Sequence, residues 1–237
     1  MPDNIDSIYY KDGVNNSFAM SLLTIARRRM LHLFMERMRP NENTTILDIG
    51  VSDDENEGAN FLEKHYPWKN RITCAGIGNG DQVRRFYPES TFVRISPNEK
   101  LPFGDRTFDI ACSNAVIEHV GGPTQRRAFL SEHLRVGRSV FLTVPNRWFF
   151  VEHHTSIPFL HYVPSLFRGI LAKTRLEYWT HPSHMDFVSR STLMTDWPLE
   201  TKPDFVMTGL PLGPFSSNIA LIFDPRKGLK TDNLIRT

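Results

Sequence analysis

Cysteine is nearly absent from this sequence: among 237 residues only Cys74 and Cys112 carry a thiol. Both lie in apolar runs, ITCAGI and DIACSNAV, where small buried hydrophobes are expected, so a disulfide framework or a cysteine-bound zinc is not. No apolar run reaches the ~18 residues that a bilayer-spanning helix needs. Charge of either sign is not in surplus: the formal net charge is +2, and no nucleic-acid-binding motif is present, so no nucleic-acid partner is expected. The opening stretch MPDNIDSIYYKDG lacks a basic segment followed by an apolar one, so no export signal is read and a cytoplasmic location is expected. Repeats and low-complexity blocks are missing too. What remains, 40% hydrophobic and 23% charged residues, is the composition of a soluble chain long enough for one domain with an insertion.

Apolar positions at helical spacing predict an amphipathic helix over 17–39, with Leu22, Leu23, Ile25, Ala26, Met30, Leu33, Phe34 and Met38 on one face and Pro40 as its stop. Its Arg27, Arg28 and Arg29 are expected on a solvated face. The pattern then alternates between short apolar runs, TILDIG, ITCAGIG, TFVRIS, FDIACSNAVI and SVFLTVP, and helical stretches, GANFLEKHY, DQVRRFYP and TQRRAFLSEHLRV. Such alternation predicts a doubly wound α/β core with a parallel sheet covered on both faces. Residues 146–188 break the rhythm and are rich in aromatics, His and Pro. An insertion after a strand's carboxyl end overhangs the ligand crevice, so this segment is expected to be a lid or substrate cap; membrane association through its apolar residues is the rival expectation. A helix in SRSTLMTDW, capped by Ser189 or Ser191, and a hairpin in DFVMTGLPLGPFSSNIALIF follow. The chain thus divides into an N-terminal cap and helix (1–43), a core (44–145), the lid (146–188) and a C-terminal helix, hairpin and tail (189–237).

Glycine is missing where nucleotide folds need it. After Gly50 the chain reads Val51, Ser52, Asp53, Asp54, Glu55, Asn56, Glu57, Gly58, not the G-x-G-x-x-G that lets backbone N–H groups meet a pyrophosphate. Four carboxylates there would repel a phosphate, which disfavours NAD, FAD and ATP and with them a nicotinamide-dependent oxidoreductase. A cationic ligand escapes that repulsion. The same acids are also what a helix N-terminus favours, so most of the four are expected to serve the next helix rather than a ligand.

ILDIG, LPFGDRTFDIACSNAVIEHV and FLTVPNRW together resemble a class I S-adenosylmethionine-dependent methyltransferase, nearest to the broad bacterial methyltransferase type 11 group, some members of which accompany glycan or small-molecule biosynthesis. The resemblance runs over about 44–154. It implies a Rossmann-like, mostly parallel seven-stranded sheet with an antiparallel C-terminal strand, and S-adenosylmethionine as cofactor. It places Asp48, Gly50, Val51 and Ser52 at the methionine end of that cofactor, Gly78 and Asn79 where an acid usually takes the ribose hydroxyls, and Ser113, Asn114 and Ala115 beneath the methyl donor. Pro145 and Asn146 then face the substrate, and Ser96, Pro97 and Asn98 stand near the place of the usual adenine-side acid.

Methyl transfer needs an aligned nucleophile and sometimes a base. Glu118, His119 and His154 are the candidate catalytic residues, His154 as base or substrate contact and His119 as an orienting residue; His153 is a further candidate base. HPSHMD, with His181, His184 and Asp186, lacks a fourth ligand at clear spacing, so no metal is expected. Two readings remain: methyl transfer, at oxygen, to a small-molecule or glycan-linked acceptor, or a catalytically silent methyltransferase-like partner protein whose altered loops are repurposed.

Overall fold

The structure, a computed structural model, describes residues 17–55 and 58–226, with side chains from 21 onward. Asn56, Glu57, the opening residues 1–16 and the tail from 227 lie outside the described residues. The first helix, α1 (Ser17–Met38), buries Ala26, Met30, Phe34 and Met38, a strict i+4 stripe. Ile25, expected on that stripe, is exposed. Arg27 is not on a solvated face; it is buried, whereas Arg28 and Arg29 are exposed. Burying a side chain such as Phe34 is worth about 1.5–3 kcal/mol, so the stripe fixes which arginine turns inward.

Strands β1 (Ile46–Ile49), β2 (Ile72–Gly76), β3 (Thr91–Arg94), β4 (Phe108–Asn114), β5 (Gly137–Pro145), β6 (Asp204–Thr208) and β7 (Asn218–Phe223) form one sheet in the order β3-β2-β1-β4-β5-β7-β6. The pairs from β3 through β5 are parallel. β7 runs antiparallel to both β5 and β6, so it is the strand that reverses, and the hairpin expected near the C-terminus is β6–β7. Every residue of β1 is buried, as are most of β4 and β5, which is why these strands read as continuous apolar runs instead of alternating ones.

Helices cover both faces. Phe34 and Met38 of α1, Leu62 of α2 (Phe61–His65) and Val83 of α3 (Asp81–Phe86) pack with Ile46, Cys74, Cys112 and Phe141 on one side. Leu130 of α4 (Pro123–Val136) and Leu193 of α6 (Arg190–Asp196) pack with Val140, Leu142, Val144 and Ile219 on the other. Cys74 and Cys112 are free, buried thiols in this core. Helix α6 starts at Ser189, whose hydroxyl accepts from Thr192 N in a reciprocal capping box.

Residues 146–188, the segment expected to be a lid, contain one α-helix, α5 (Pro164–Leu171), two 3-10 turns and a small core of their own in which Phe167, Leu171, Trp179 and Met185 are buried. Phe159, Leu166 and Ile170 remain exposed. Among the described residues no helix is long and apolar enough to cross a membrane.

Candidate functional site

The crevice opens where β1 and β4 separate, at their carboxyl ends, and Gly50 divides it. On one side a cavity of ≈ 100 Å³ is lined by Arg27, Asp48, Val51, Ser52, Asn60, Asn114, Ala115, His119 and Trp179 among others. On the other a cavity of ≈ 1020 Å³ extends past Ile77, Ser96, Pro97, Asn98 and Tyr178. Gly50 and His119 border both. Gly50 has φ +92°, and a Cβ there would stand 2.4 Å from Val116 Cγ2, so no other residue fits without displacing its neighbour.

Asp48 lies next to Cys74 and Cys112 in register on the α1–α3 face of the sheet, with Glu63 of α2 opposite it. Burial, then the charge of Glu63 and a hydrogen bond with it, push the Asp48 carboxyl well above the usual carboxylate range, and Arg27 pulls it part of the way back. Burial raises Glu63 too. Arg27 enters from α1, its Nε donating to the Gly58 carbonyl at 3.1 Å and its guanidinium donating to Asn114 Oδ1. Thr143 Oγ1 donates to the same oxygen at 2.6 Å. Ala115 has φ +54°, a left-handed conformation that costs a non-glycine residue about 1 kcal/mol or more and is characteristic of functional sites.

Two of the acids after Gly50, Asp53 and Glu55, are engaged within the protein. Asp53 does not serve α2; its carboxylate accepts from Gly80 N (2.9 Å), Asp81 N (3.3 Å) and Gln82 N (2.9 Å) at the start of α3. Its Cβ lies 2.8 Å from where a Cβ on Gly78 would be. An acid from the first loop therefore fills the space in front of the second strand's end, where the resemblance leads one to expect an acid from β2 itself. Glu55 pairs with Lys64 at 2.9 Å and accepts from Tyr87 Oη at 2.7 Å. Gly78 and Asn79 line neither cavity, and Ser113 is buried with no hydrogen-bond partner for Oγ.

Glu118 and His119 sit on a single 3-10 turn after β4, and His154 on the loop after β5. β4 and β5 are parallel neighbours, with Asn114 beside Thr143, so the two segments leave the sheet side by side. The His154 and His119 Nε2 atoms lie 3.1 Å apart. His154 Nδ1 is 2.7 Å from Glu152 Oε1, and His119 Nδ1 is 2.7 Å from the His184 carbonyl. The carboxylate of Glu152 also accepts from the N–H groups of His154 and Thr155 and from Thr155 Oγ1. Burial alone would raise Glu152, but the charge and hydrogen bonds of His154 outweigh it and hold Glu152 at about 2. Burial and the charge of His154 lower His119 to about 3, and burial raises Glu118 to about 7. His153 is lowered to about 4 by burial, and its Nε2 lies 3.1 Å from the Ser217 carbonyl. In HPSHMD, His181 pairs with Ser183, His184 with the Tyr178 carbonyl and Asp186 with Arg126.

Residues 71–140 match the methyltransferase-domain family model Methyltransf_11. The protein PH0226 of Pyrococcus horikoshii OT3 superposes with a TM-score of 0.56 at 15% identity, over 93% of this chain and 96% of that one. An S-adenosylmethionine-dependent methyltransferase of Thermotoga maritima gives 0.55 at 14% identity, over 86% and 92%. One from Aquifex aeolicus gives 0.50 at 13%, over 89% and 98%. The chain thus shares the fold of these S-adenosylmethionine-dependent methyltransferases, and its residues 71–140 match a methyltransferase-domain model. No curated protein sequence matches it.

The residues of the crevice fit S-adenosylmethionine, the cofactor named for two of these structural neighbours. Its amino-acid end is a zwitterion, and the cavity beside Gly50 offers one buried carboxyl, Asp48, and one buried guanidinium, Arg27. Sequence reading missed Arg27, although it stands three residues before Met30 and seven before Phe34 and so shares their face.

Proposed function

We propose that the protein transfers the methyl group of S-adenosylmethionine to a hydroxyl of a small-molecule or glycan-linked acceptor. The observation that carries this reading is the pairing of Asp48 and Arg27 across one cavity at the crevice edge. Asp48 receives the cofactor's ammonium and Arg27 its carboxylate, each compensating a charge whose burial is otherwise costly. Gly50, bare of a side chain, lets the cofactor continue from the small cavity into the large one. Ser96, Pro97 and Asn98 border the large cavity and supply polar groups to the adenosine end. Asn114 and Ala115 form the floor below the reacting carbon.

The cofactor, when bound, supplies an electrophilic methyl on a sulfonium that leaves as a neutral thioether. The chain's task is alignment and removal of water. Asn114 is held rigid for this by Arg27 and Thr143. The acceptor enters on the His119 side, below a lid whose Tyr178 and Trp179 border the two cavities; aromatic faces of this kind suit a sugar or ring substrate. His119 and His154, with Glu118, stand at the point where the acceptor hydroxyl meets the methyl group.

Calorimetric titration with S-adenosylmethionine and S-adenosylhomocysteine tests the reading. Asp48→Ala and Arg27→Ala are each expected to weaken binding at least ~10-fold, the size of one charge-assisted hydrogen bond. Unchanged dissociation constants in both variants would remove Asp48 and Arg27 from the site; no binding by the unaltered chain at millimolar ligand would favour the catalytically silent alternative.

A further inference from the structure

The two imidazoles at the crevice have an unusual hydrogen-bond arithmetic. A backbone carbonyl can only accept, so His119 Nδ1 at 2.7 Å from the His184 oxygen carries its hydrogen. Glu152 already accepts from two N–H groups and a hydroxyl, so it is a carboxylate, and His154 Nδ1 at 2.7 Å from it carries a hydrogen as well. With both Nδ1 atoms donating, each Nε2 is left as an acceptor, and the two stand 3.1 Å apart. A cation shared between them, a proton or a metal ion, accounts for that spacing.

The third member of the cluster separates these cases. Glu118 is 2% exposed, and neither of its carboxyl oxygens finds a hydrogen-bond partner in another residue. Its Oε1 lies 3.9 Å from His119 Nε2. One ligand atom from each of Glu118, His119 and His154 can be chosen so that all three lie within 4.8 Å of one another. A shared proton satisfies the histidines and leaves the buried carboxyl without a hydrogen bond from any other residue, at a cost that proteins avoid. A divalent cation satisfies all three groups. Two nitrogens each ~2.1 Å from one ion stand ~3.0–3.4 Å apart at octahedral to tetrahedral angles, which matches the observed spacing without rearrangement.

We infer that Glu118, His119 and His154 bind a divalent transition-metal ion through two imidazole nitrogens and one carboxylate. Glu152 and the His184 carbonyl orient the two rings from behind, the usual outer support of a histidine-bound metal. Nitrogen donors favour Zn²⁺, Fe²⁺, Co²⁺ or Mn²⁺ over Mg²⁺ or Ca²⁺. Three protein ligands leave a coordination position open, and His119, which borders both crevice cavities, puts it on the substrate side. The ligand suited to that position is an acceptor oxygen, an assignment that rests on the proposed methyl transfer; the metal site itself does not.

The test uses the full chain, stripped with a chelator and titrated with Co²⁺ while visible absorbance and heat are recorded. One equivalent should bind, with the intense d–d bands of a low-coordinate nitrogen–oxygen site, and Zn²⁺ should displace it and raise the melting temperature. His119→Ala and His154→Ala should each weaken binding by ~100-fold or more, and Glu152→Gln, which orients a ligand without being one, by ~10–100-fold. Glu118→Gln keeps the side chain's volume and should weaken binding ~10-fold with the far-ultraviolet spectrum unchanged. Absence of saturable Co²⁺ and Zn²⁺ binding up to about 1 mM overturns the inference, and so does equal binding by the folded Glu118→Gln and His154→Ala proteins. Cofactor titration of the same samples keeps the readings apart: cofactor binding without metal binding removes the metal site alone, and the reverse removes the methyltransferase reading alone.

Discussion

Arg126 of α4 donates Nε to Asp196 Oδ2 of α6 at 2.6 Å, both side chains 5% exposed. The same guanidinium donates NH1 to Asp186 Oδ2 at 2.5 Å and to the Gly121 carbonyl at 3.3 Å. One buried cation thus ties the end of the 146–188 segment to the two helices behind the sheet, and Asp186 N donates to the Glu118 carbonyl at 2.8 Å. Arg126→Ala strands a buried carboxylate, so urea unfolding is expected to lose about 3–5 kcal/mol. Adding Asp196→Asn should recover a substantial part of that loss; no recovery would mean that the arginine acts through packing and not through charge.

Gly50→Ala is expected to damage the crevice in two ways, through its left-handed φ of +92° and through the 2.4 Å approach of the new Cβ to Val116. A loss of about 1–3 kcal/mol and of cofactor binding should follow. Val116→Ala in the same chain removes the steric part and leaves the backbone part, so the double variant should fall between. Equal stability of Gly50→Ala and the unaltered chain would show that the loop moves freely.

Cofactor affinity should rise with pH. Burial and Glu63 hold Asp48 above the usual carboxylate range, so the free site carries a proton that an incoming ammonium expels. The affinity gain is up to ~10-fold per pH unit, over the interval from the ordinary carboxylate range up to the raised value of Asp48. Calorimetry in buffers of differing ionisation enthalpy should register proton release, and Asp48→Asn should abolish it.

His133 links stability to acid. It is fully buried in α4, with Nδ1 2.8 Å from the Phe129 carbonyl, and burial lowers it to about 4 although Glu132 opposes the shift. Its unfolded value is ~6.5. Between these values the unfolded chain binds a proton that the folded one refuses, so stability is full above ~6.5 and falls as pH drops toward ~4, by up to ~3 kcal/mol. Denaturant unfolding from pH 7 to 5 measures the slope, and His133→Gln should lower it by about one proton's share, the buried His119 and His153 contributing to what remains.

The sheet was readable because β1, β4 and β5 are buried on both faces, so their sequences are unbroken apolar runs between helical spacings. Ser189 was readable because a cap depends on residues three apart. Helix α5 was not: PSLFRGIL is short, begins with proline and lies among aromatics, and its shape depends on Phe167 and Leu171 meeting Trp179 and Met185. In the site, Asp48, Gly50, Asn114 and Ala115 follow from strand ends. Asp53 does not, since its partners at Gly80, Asp81 and Gln82 lie 27–29 residues on. The meeting of Glu118, His119 and His154 had a faint signal in the two neighbouring strands that precede them, but the facing nitrogens of the two histidines depend on how the 146–188 segment folds back.

The stretch by which this chain can be grouped with others, 71–140, holds neither Asp48 nor Arg27. Both come from the helix and strand that precede it, so on the proposed reading the ligand's zwitterionic end is met outside the matched segment. Excising the recognisable segment would therefore yield a scaffold without its grip, and changing the preference for one sulfonium ligand over another is a matter of redesigning the face of α1.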